Sequence, residues 1–318
     1  MWETIKDIGY WLRETVSWKM IRRGIYILIL IMLLYYPVGM LLIHNLDSDP
    51  DFGLQNSSRG SNAVAVSVAL IHREVNQNGW VSNDPVFKPG AFLDNMSNYQ
   101  TGIISAIARF SYELVDQLGR TRGSSAVDPD LQSVSGLLQY AGDIWWWNPS
   151  TSLMPVATSE QQYIKAMEQM VVYNERLSRG AAVFEKRSDN LLATLDRISL
   201  DLGASSASID TYVSDGFGCV LDFGADDLFF NVKGQAYAYR LILKALRKDF
   251  AEIIASRDIA NSWDEMATSF DNIISMDPII ISNCAVDGFL FQNHLAAEGF
   301  YLLRARTQLK EITNILLK

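Results

Sequence analysis

Cysteine and histidine are scarce in this sequence. Two cysteines, Cys219 and Cys284, and three histidines, His44, His72 and His294, serve 318 residues. An all-histidine zinc site is excluded, because His44 lies at the edge of an apolar run. The signatures HExxH, GxSxG, GxxxxGK[ST] and GxGxxG are absent. Positive charge is short as well: 27 Lys and Arg stand against 36 Asp and Glu, a net charge of −9. Five of the basic groups fall in residues 1–23, so the body beyond the apolar run is more acidic than the whole. That balance argues against nucleic-acid binding, which needs a basic footprint. It also argues against lying flat on anionic lipid. No repeat of 20–50 residues is visible.

One long apolar run is present. Gly24–Leu46 (GIYILILIMLLYYPVGMLLIHNL) carries no Asp, Glu, Lys or Arg. About 20 such residues at ~1.5 Å rise span ~30 Å, the thickness of a bilayer's hydrocarbon core. The run reads as a single transmembrane helix with Pro37 as a kink point. Arg22 and Arg23 precede it, and Asp47, Asp49 and Asp51 follow. Basic flanks stay in the cytoplasm, so the expected topology is N-in, C-out. A cleaved signal peptide is the alternative, but its apolar region is usually 7–15 residues. In residues 2–22 a stripe of Ile5, Ile8, Leu12 and Val16 accompanies Trp2, Trp11 and Trp18. That pattern suits an interfacial helix; a soluble tail that continues into the span is the other reading. The expected organisation is a cytoplasmic segment 1–23, a span 24–46, a linker 47–62 rich in Asp, Ser, Asn and Gly, and a helical domain 63–318.

Along that domain, Val64, Val66, Val68 and Leu70 alternate as in a strand, yet the run is long enough for a helix. Residues 76–96 are dense in turn formers, a helix is expected from about Asn98 to Leu118, and 119–134 reads as a mobile loop. Ser159-x-x-Gln162 fits a capping box. From Tyr163 a four-three apolar rhythm runs through Met167, Met170, Leu177, Phe184, Leu191, Leu195 and Leu202, with Gly180 as a break point. Val232–Ile253 and Phe291–Leu316 repeat the rhythm, and 213–224 forms an irregular crossing. The fold class is therefore all-α: one N-terminal transmembrane helix, then a bundle of long helices with coiled-coil-like seams.

Candidate sites are few, and each has a structural alternative. Asp226-Asp227 is either an acid/base pair or the cap of the helix that follows. Asp94-Asn95 and Asp189-Asn190 suit ligands or turn and interhelical contacts. Asn293 and His294 form a further polar pair; His294 shares a helix face with Glu298 at i, i+4, which suits half a metal site or a surface hydrogen bond. Trp145, Trp146 and Trp147 are a partner surface or a plug at the end of the bundle. Cys219 and Cys284 pair if their compartment is oxidising, as a bacterial periplasm is, or remain buried thiols.

Several blocks together are similar to one family. They are Asn83-Asp84, Lys88-Pro89-Gly90, Phe92-Leu93-Asp94-Asn95-Met96, Met154-Pro155 with Glu160 and Tyr163, and Ser188-Asp189-Asn190-Leu191. Asp226-Asp227 with Phe229, Gly234-Gln235, Asp249-Phe250, Gly288-Phe289, Asn293-His294 and Arg304-Ala305 follow in order. The ordered set resembles the bacterial inner-membrane proteins grouped as domain of unknown function 2333. The resemblance implies one N-terminal span, a helical periplasmic body, a helix at 64–75 and a helix break near Gly180. It transfers no catalytic residue. The expected function is a non-enzymatic scaffold of the cell envelope, without cofactor or metal. Its partners are membrane lipid through residues 2–46, and other envelope proteins or a second copy. A carboxylate-dependent envelope hydrolase and a periplasmic sensor working through a partner are the alternatives.

Overall fold

The computed structural model describes residues 18–53, 60–120, 127–147, 152–215, 218–220, 222–285 and 291–318. The expected interfacial helix, with Trp2 and Trp11, lies outside them apart from residues 18–22; so does Gly288-Phe289. The described residues form ten α-helices, and their only paired extended backbone is two isolated bridges, Val220–Ser282 and Asn283–Asn293. The all-α expectation holds, with one N-terminal helix, α1 (Trp18–Ile43), long and apolar enough to cross a membrane.

Helix α2 (Asn62–His72) resolves the strand-or-helix question. Ser61 caps it by accepting from the Val64 amide, and Ala63, Val64, Val66, Ser67, Leu70 and Ile71 are all buried. A helix with neighbours on several sides is apolar nearly all round, so alternating valines do not mark a strand here. A π-helical turn (Arg73–Gln77) ends it. Helix α3 (Asp94–Glu113) starts four residues earlier than expected, because the short Pro89–Phe92 turn feeds directly into it. Part of the expected loop 119–134 is helical: in α4 (Pro129–Leu138) Asp128 is the cap and Pro129 takes the first position.

Helix α5 (Ser159–Ser178) carries a capping box one residue earlier than expected, from Thr158 to Gln161. Ser159 is instead buried, and its hydroxyl donates to the Ala141 carbonyl at 2.7 Å. The rhythm does break: α5 stops at Ser178, Gly180 turns at φ +71°, and α6 (Ser188–Asp215) begins anew. Helix α7 (Phe223–Asp249) follows, then short α8 (Ala251–Ser256), α9 (Ala260–Ile274) and α10 (His294–Leu316).

Helices α3 and α7 run parallel through the centre. Gly234 makes their contact close: a Cβ there would fall 2.1 Å from the Tyr99 carbonyl oxygen. Around them α6 lies antiparallel to α7 and to α10, as the Ser205–Gln235, Tyr239–Asp201 and Gly203–Arg306 contacts show. Helix α2 enters the core at the far end, where Asp249 of α7 binds its first turn. The main core results, with Trp263, Tyr99, Tyr173, Tyr237 and Phe270 among its largest buried side chains.

Candidate functional site

The parallel and antiparallel pairings bring one set of helix ends together at the point where α1 joins the body. The starts of α3, α5, α7 and α10 and the end of α6 lie here. Most of the polar and aromatic candidates lie here too.

The join is a fitted contact. Tyr36, Gly39, Met40 and Ile43 are the half-buried positions of α1's last turns, and their spacing puts them on one face. Met40, Ile43 and Leu46 pack on a small separate core of Val81, Leu93 and Met96. Gly39 lies against Pro89; a Cβ there would be 2.3 Å from the proline Cγ. The Tyr35 hydroxyl donates to the Phe87 carbonyl at 3.1 Å and the Tyr36 hydroxyl to the Val86 carbonyl at 3.0 Å. The Tyr36 and Phe92 rings meet edge-on at 5.1 Å. The described part of segment 47–62 also packs down. Asp47 pairs with Arg73 at 3.1 Å, the Asp49 carbonyl accepts from Tyr237 at 2.9 Å, and Asp51 pairs with Lys244.

The tryptophan run extends this join. Trp145 stacks edge-on against Phe87 at 5.7 Å, Trp146 on Trp145 at 5.3 Å, and Trp147 on Trp146 at 6.4 Å. Its position is set from below. Asn83 donates to the Ile144 carbonyl at 2.8 Å and to Glu160 at 2.7 Å, while the Trp80 indole donates to the Gly142 carbonyl at 2.7 Å. Trp146 and Trp147 remain exposed, so the run does not plug the bundle.

Asp94, Asp226 and Asp227 come together where α3 and α7 begin. Burial, then the neighbouring Asp94 and Asp227 carboxylates, push Asp226 up to about 6, against a hydrogen bond from Asn95. Asp227 is also raised, by burial and by Asp94, although Asn98 donates to it at 2.8 Å. The capping alternative for this doublet is corrected: Asp222 is the cap, accepting from the Ala225 amide. Asp226 lies in the first turn, where a carboxylate is favoured by the helix dipole.

Cys219 and Cys284 are joined as a disulfide. It staples the approach to α7 onto the approach to α10, beside the Val220–Ser282 and Asn283–Asn293 bridges. Asn293 caps α10, accepting from Ala296 at 2.7 Å and donating to the Asn283 side chain at 3.0 Å. His294 Nδ1 accepts from the Ser282 amide at 3.0 Å, and burial lowers its pKa. The surface hydrogen bond expected between His294 and Glu298 is not made. Glu298 is fully buried, neither of its oxygens has a hydrogen-bond partner, and burial raises its pKa well above the carboxylate range. Among the described residues no group of three or more His, Cys, Asp or Glu is arranged to hold a metal ion.

Asp189 and Asn190 lie at the opposite end. Asp189 pairs with Arg187 at 2.9 Å and Asn190 donates to the Glu185 carbonyl at 3.1 Å, so both serve the start of α6. A cleft on the flank of α7 carries Lys233, Arg240 and Lys244, but Asp277, Asp271 and Asp51 face them within it, so it is self-neutralised. Sequence reasoning missed Val86, Phe87, Phe92, Leu153 and Phe223, large apolar residues that stay exposed around the join. Their one signal is that large apolar side chains sit in turn-rich stretches with no periodic face to bury them.

The family model for an uncharacterized protein conserved in bacteria (DUF2333) matches residues 49–216 and 223–318, everything from just beyond α1 except a short gap. No curated protein and no solved structure matches the chain.

Proposed function

We propose that this chain, which belongs to the DUF2333 family of uncharacterized bacterial proteins, is a single-span scaffold of the bacterial cell envelope. In this reading α1 crosses the inner membrane with its N-terminus in the cytoplasm. Arg22 and Arg23 before the apolar run, and Asp47, Asp49 and Asp51 after it, favour that direction. The body then stands on the periplasmic side and docks on other envelope proteins or on a second copy of itself. An oxidising compartment also suits the Cys219–Cys284 disulfide.

The observation that carries the reading is the fitted join. Gly39 on Pro89, two tyrosine hydroxyls on loop carbonyls and a small apolar core of their own hold the body in one orientation relative to α1. A platform that presents a fixed surface needs such a fit; an enzyme on a loose tether does not. The candidate polar residues support the same reading, because Asn83, Asp189, Asn190, Asn293 and His294 are engaged in caps and loop ties.

Gly39→Leu tests it. The side chain would occupy the place of Pro89 and free the body from α1 without touching the main core. Site-specific crosslinking from the body in intact cells should capture a defined envelope protein or second copy in the parent, and several-fold less in G39L at equal protein level. A parent chain that is monomeric in mild detergent and crosslinks to nothing in cells overturns the proposal.

A second reading rests on the carboxylate trio. Burial and the neighbouring carboxylates push Asp226 up to about 6 and raise Asp227 as well, which suits a proton donor near neutral pH. If Asp226→Asn, Asp94→Asn and Asp227→Asn each leave the envelope phenotype of a deletion fully complemented, the hydrolase reading fails.

A further inference from the structure

Resting on the reading of α1 as a membrane span, we infer that the α1 end of the body is itself inserted into the lipid leaflet around the span, as an apolar foot. The argument begins with depth. From Gly24 to Ile43 the helix covers ~30 Å, the full hydrocarbon thickness. Its last residues belong to that layer, because Leu41 and Leu42 are each 81% exposed and face away from the body. Tyr36 lies two turns before the helix end, ~10 Å below it at 1.5 Å per residue. Yet Tyr35, Tyr36 and Gly39 are the residues that hold Val86, Phe87, Pro89 and Phe92. A loop fastened there cannot stand in water above the membrane while α1 spans it.

The loop's chemistry suits that position. Val86, Phe87 and Phe92 are more than half exposed, which is costly in water and favourable in hydrocarbon. The tyrosine hydroxyls and loop carbonyls that would otherwise lie bare in lipid satisfy one another. Lys88, the cation of this loop, is paired with Asp84 at 2.7 Å and has a stem long enough to reach the headgroups.

The apolar surface continues on both sides of the loop. Through Phe87 and Trp145 it reaches Trp146 and Trp147, and Leu153, a few residues further along the chain, is 85% exposed. On the other side the start of α3 leads to Phe223, which is 72% exposed, and the disulfide-tied segment adds Ile279 and Ile280. Tryptophan and phenylalanine favour the membrane interface. Among its described residues the foot carries the Asp94, Asp226 and Asp227 carboxylates, so its insertion rests on apolar surface and gains nothing from anionic lipid. The occupant of the tryptophan run is then the bilayer and not a protein.

The test uses the full chain, disulfide intact, in phosphatidylcholine vesicles with and without phosphatidylglycerol. Nitroxide labels are attached singly through Phe87→Cys, Leu153→Cys and Phe223→Cys, all surface positions. Leu28→Cys in mid-span and Ser178→Cys at the far end of the body are the references. Power-saturation spectra then read collision with oxygen, which is concentrated in lipid, against a water-soluble nickel chelate. The expected result is that the three foot positions resemble Leu28, with oxygen collision several-fold above nickel collision in both lipid mixtures. If they resemble Ser178 while Leu28 reads as lipid, the foot is wrong and the span stands. If both collisions are low at the foot, a protein covers it and the inference fails. If Leu28 itself reads as water, the span reading falls and the foot with it.

Discussion

Asp249 offers the sharpest test of how the body is held together. It ends α7, is 5% exposed, and binds the first turn of α2 from 187 residues away. One carboxylate oxygen accepts from the Asn62 amide at 2.9 Å and the Asn62 side chain at 2.8 Å. The other accepts from the Ser61 hydroxyl at 2.8 Å and the Ala63 amide at 3.0 Å. Asp249→Ala leaves Ser61 and Ala63 as buried donors without an acceptor, at ~1–3 kcal/mol each. Asn62 is half-buried and regains water in part. The expected loss is ~3–5 kcal/mol, the range for removing one partner from a buried charged contact. Asp249→Asn keeps the shape but turns an NH2 group toward one pair of donors, so it should cost ~2–4 kcal/mol rather than rescue. Hydrogen exchange on the full chain in mild detergent reads this locally. Protection of residues 62–72 should fall roughly 100- to 4,000-fold in Asp249→Ala and roughly 30- to 700-fold in Asp249→Asn, at 1.4 kcal/mol per tenfold. An Asp249→Asn chain within ~1 kcal/mol of the parent, with unchanged protection over 62–72, would refute the reasoning.

Three further outcomes follow from the same geometry. Asp226 titrates at about 6 in the folded chain against an ordinary 3.8, so the parent should lose stability as pH rises from about 4 to 6. Asp226→Asn should remove that loss, stabilising the chain at pH 8 by about 1 kcal/mol after allowance for partial solvent screening and changing nothing at pH 3.5; urea unfolding at the two pH values decides it. Glu298→Met should raise stability at pH 7 by ~1–3 kcal/mol, because the carboxyl it replaces is fully buried with both oxygens unbonded; a destabilised variant would mean that the carboxyl has a partner. Reducing the Cys219–Cys284 bond, which closes a loop of 65 residues, should cost ~2–4 kcal/mol in urea unfolding and expose the amides around Asn283 and Asn293; a loss below 1 kcal/mol counts against a structural role.

Some of the fold was legible because its signals are local. Asp128-Pro129 at the start of α4 and Thr158–Gln161 at the start of α5 are cap chemistry of neighbouring residues, which needs no fold to be read. Gly180 marks its break by the backbone angle it tolerates. The alternation at Val64–Leu70 misleads because burial on several sides of α2, rather than on one, removes the period by which a helix is recognised. Asp94, Asp226, Trp145–Trp147, Cys219, Cys284 and Asn293 stand out by residue type alone. That they share one end of the molecule, and that Asp189 and Asn190 do not, follows from which helices run parallel, and no local pattern encodes that.

Residue content and hydrophobic pattern alone make the chain helical, acidic beyond residue 46 and provided with one apolar run of membrane-spanning length. Composition and period are properties of a few neighbouring residues and survive without a fold. It takes the packed helices to key α1 to the body at Gly39 and Pro89, to bring the cysteines together and to leave Val86, Phe87, Leu153 and Phe223 uncovered. Exposure of a large apolar side chain is a statement about everything that fails to pack on it, and that is settled by the whole chain at once.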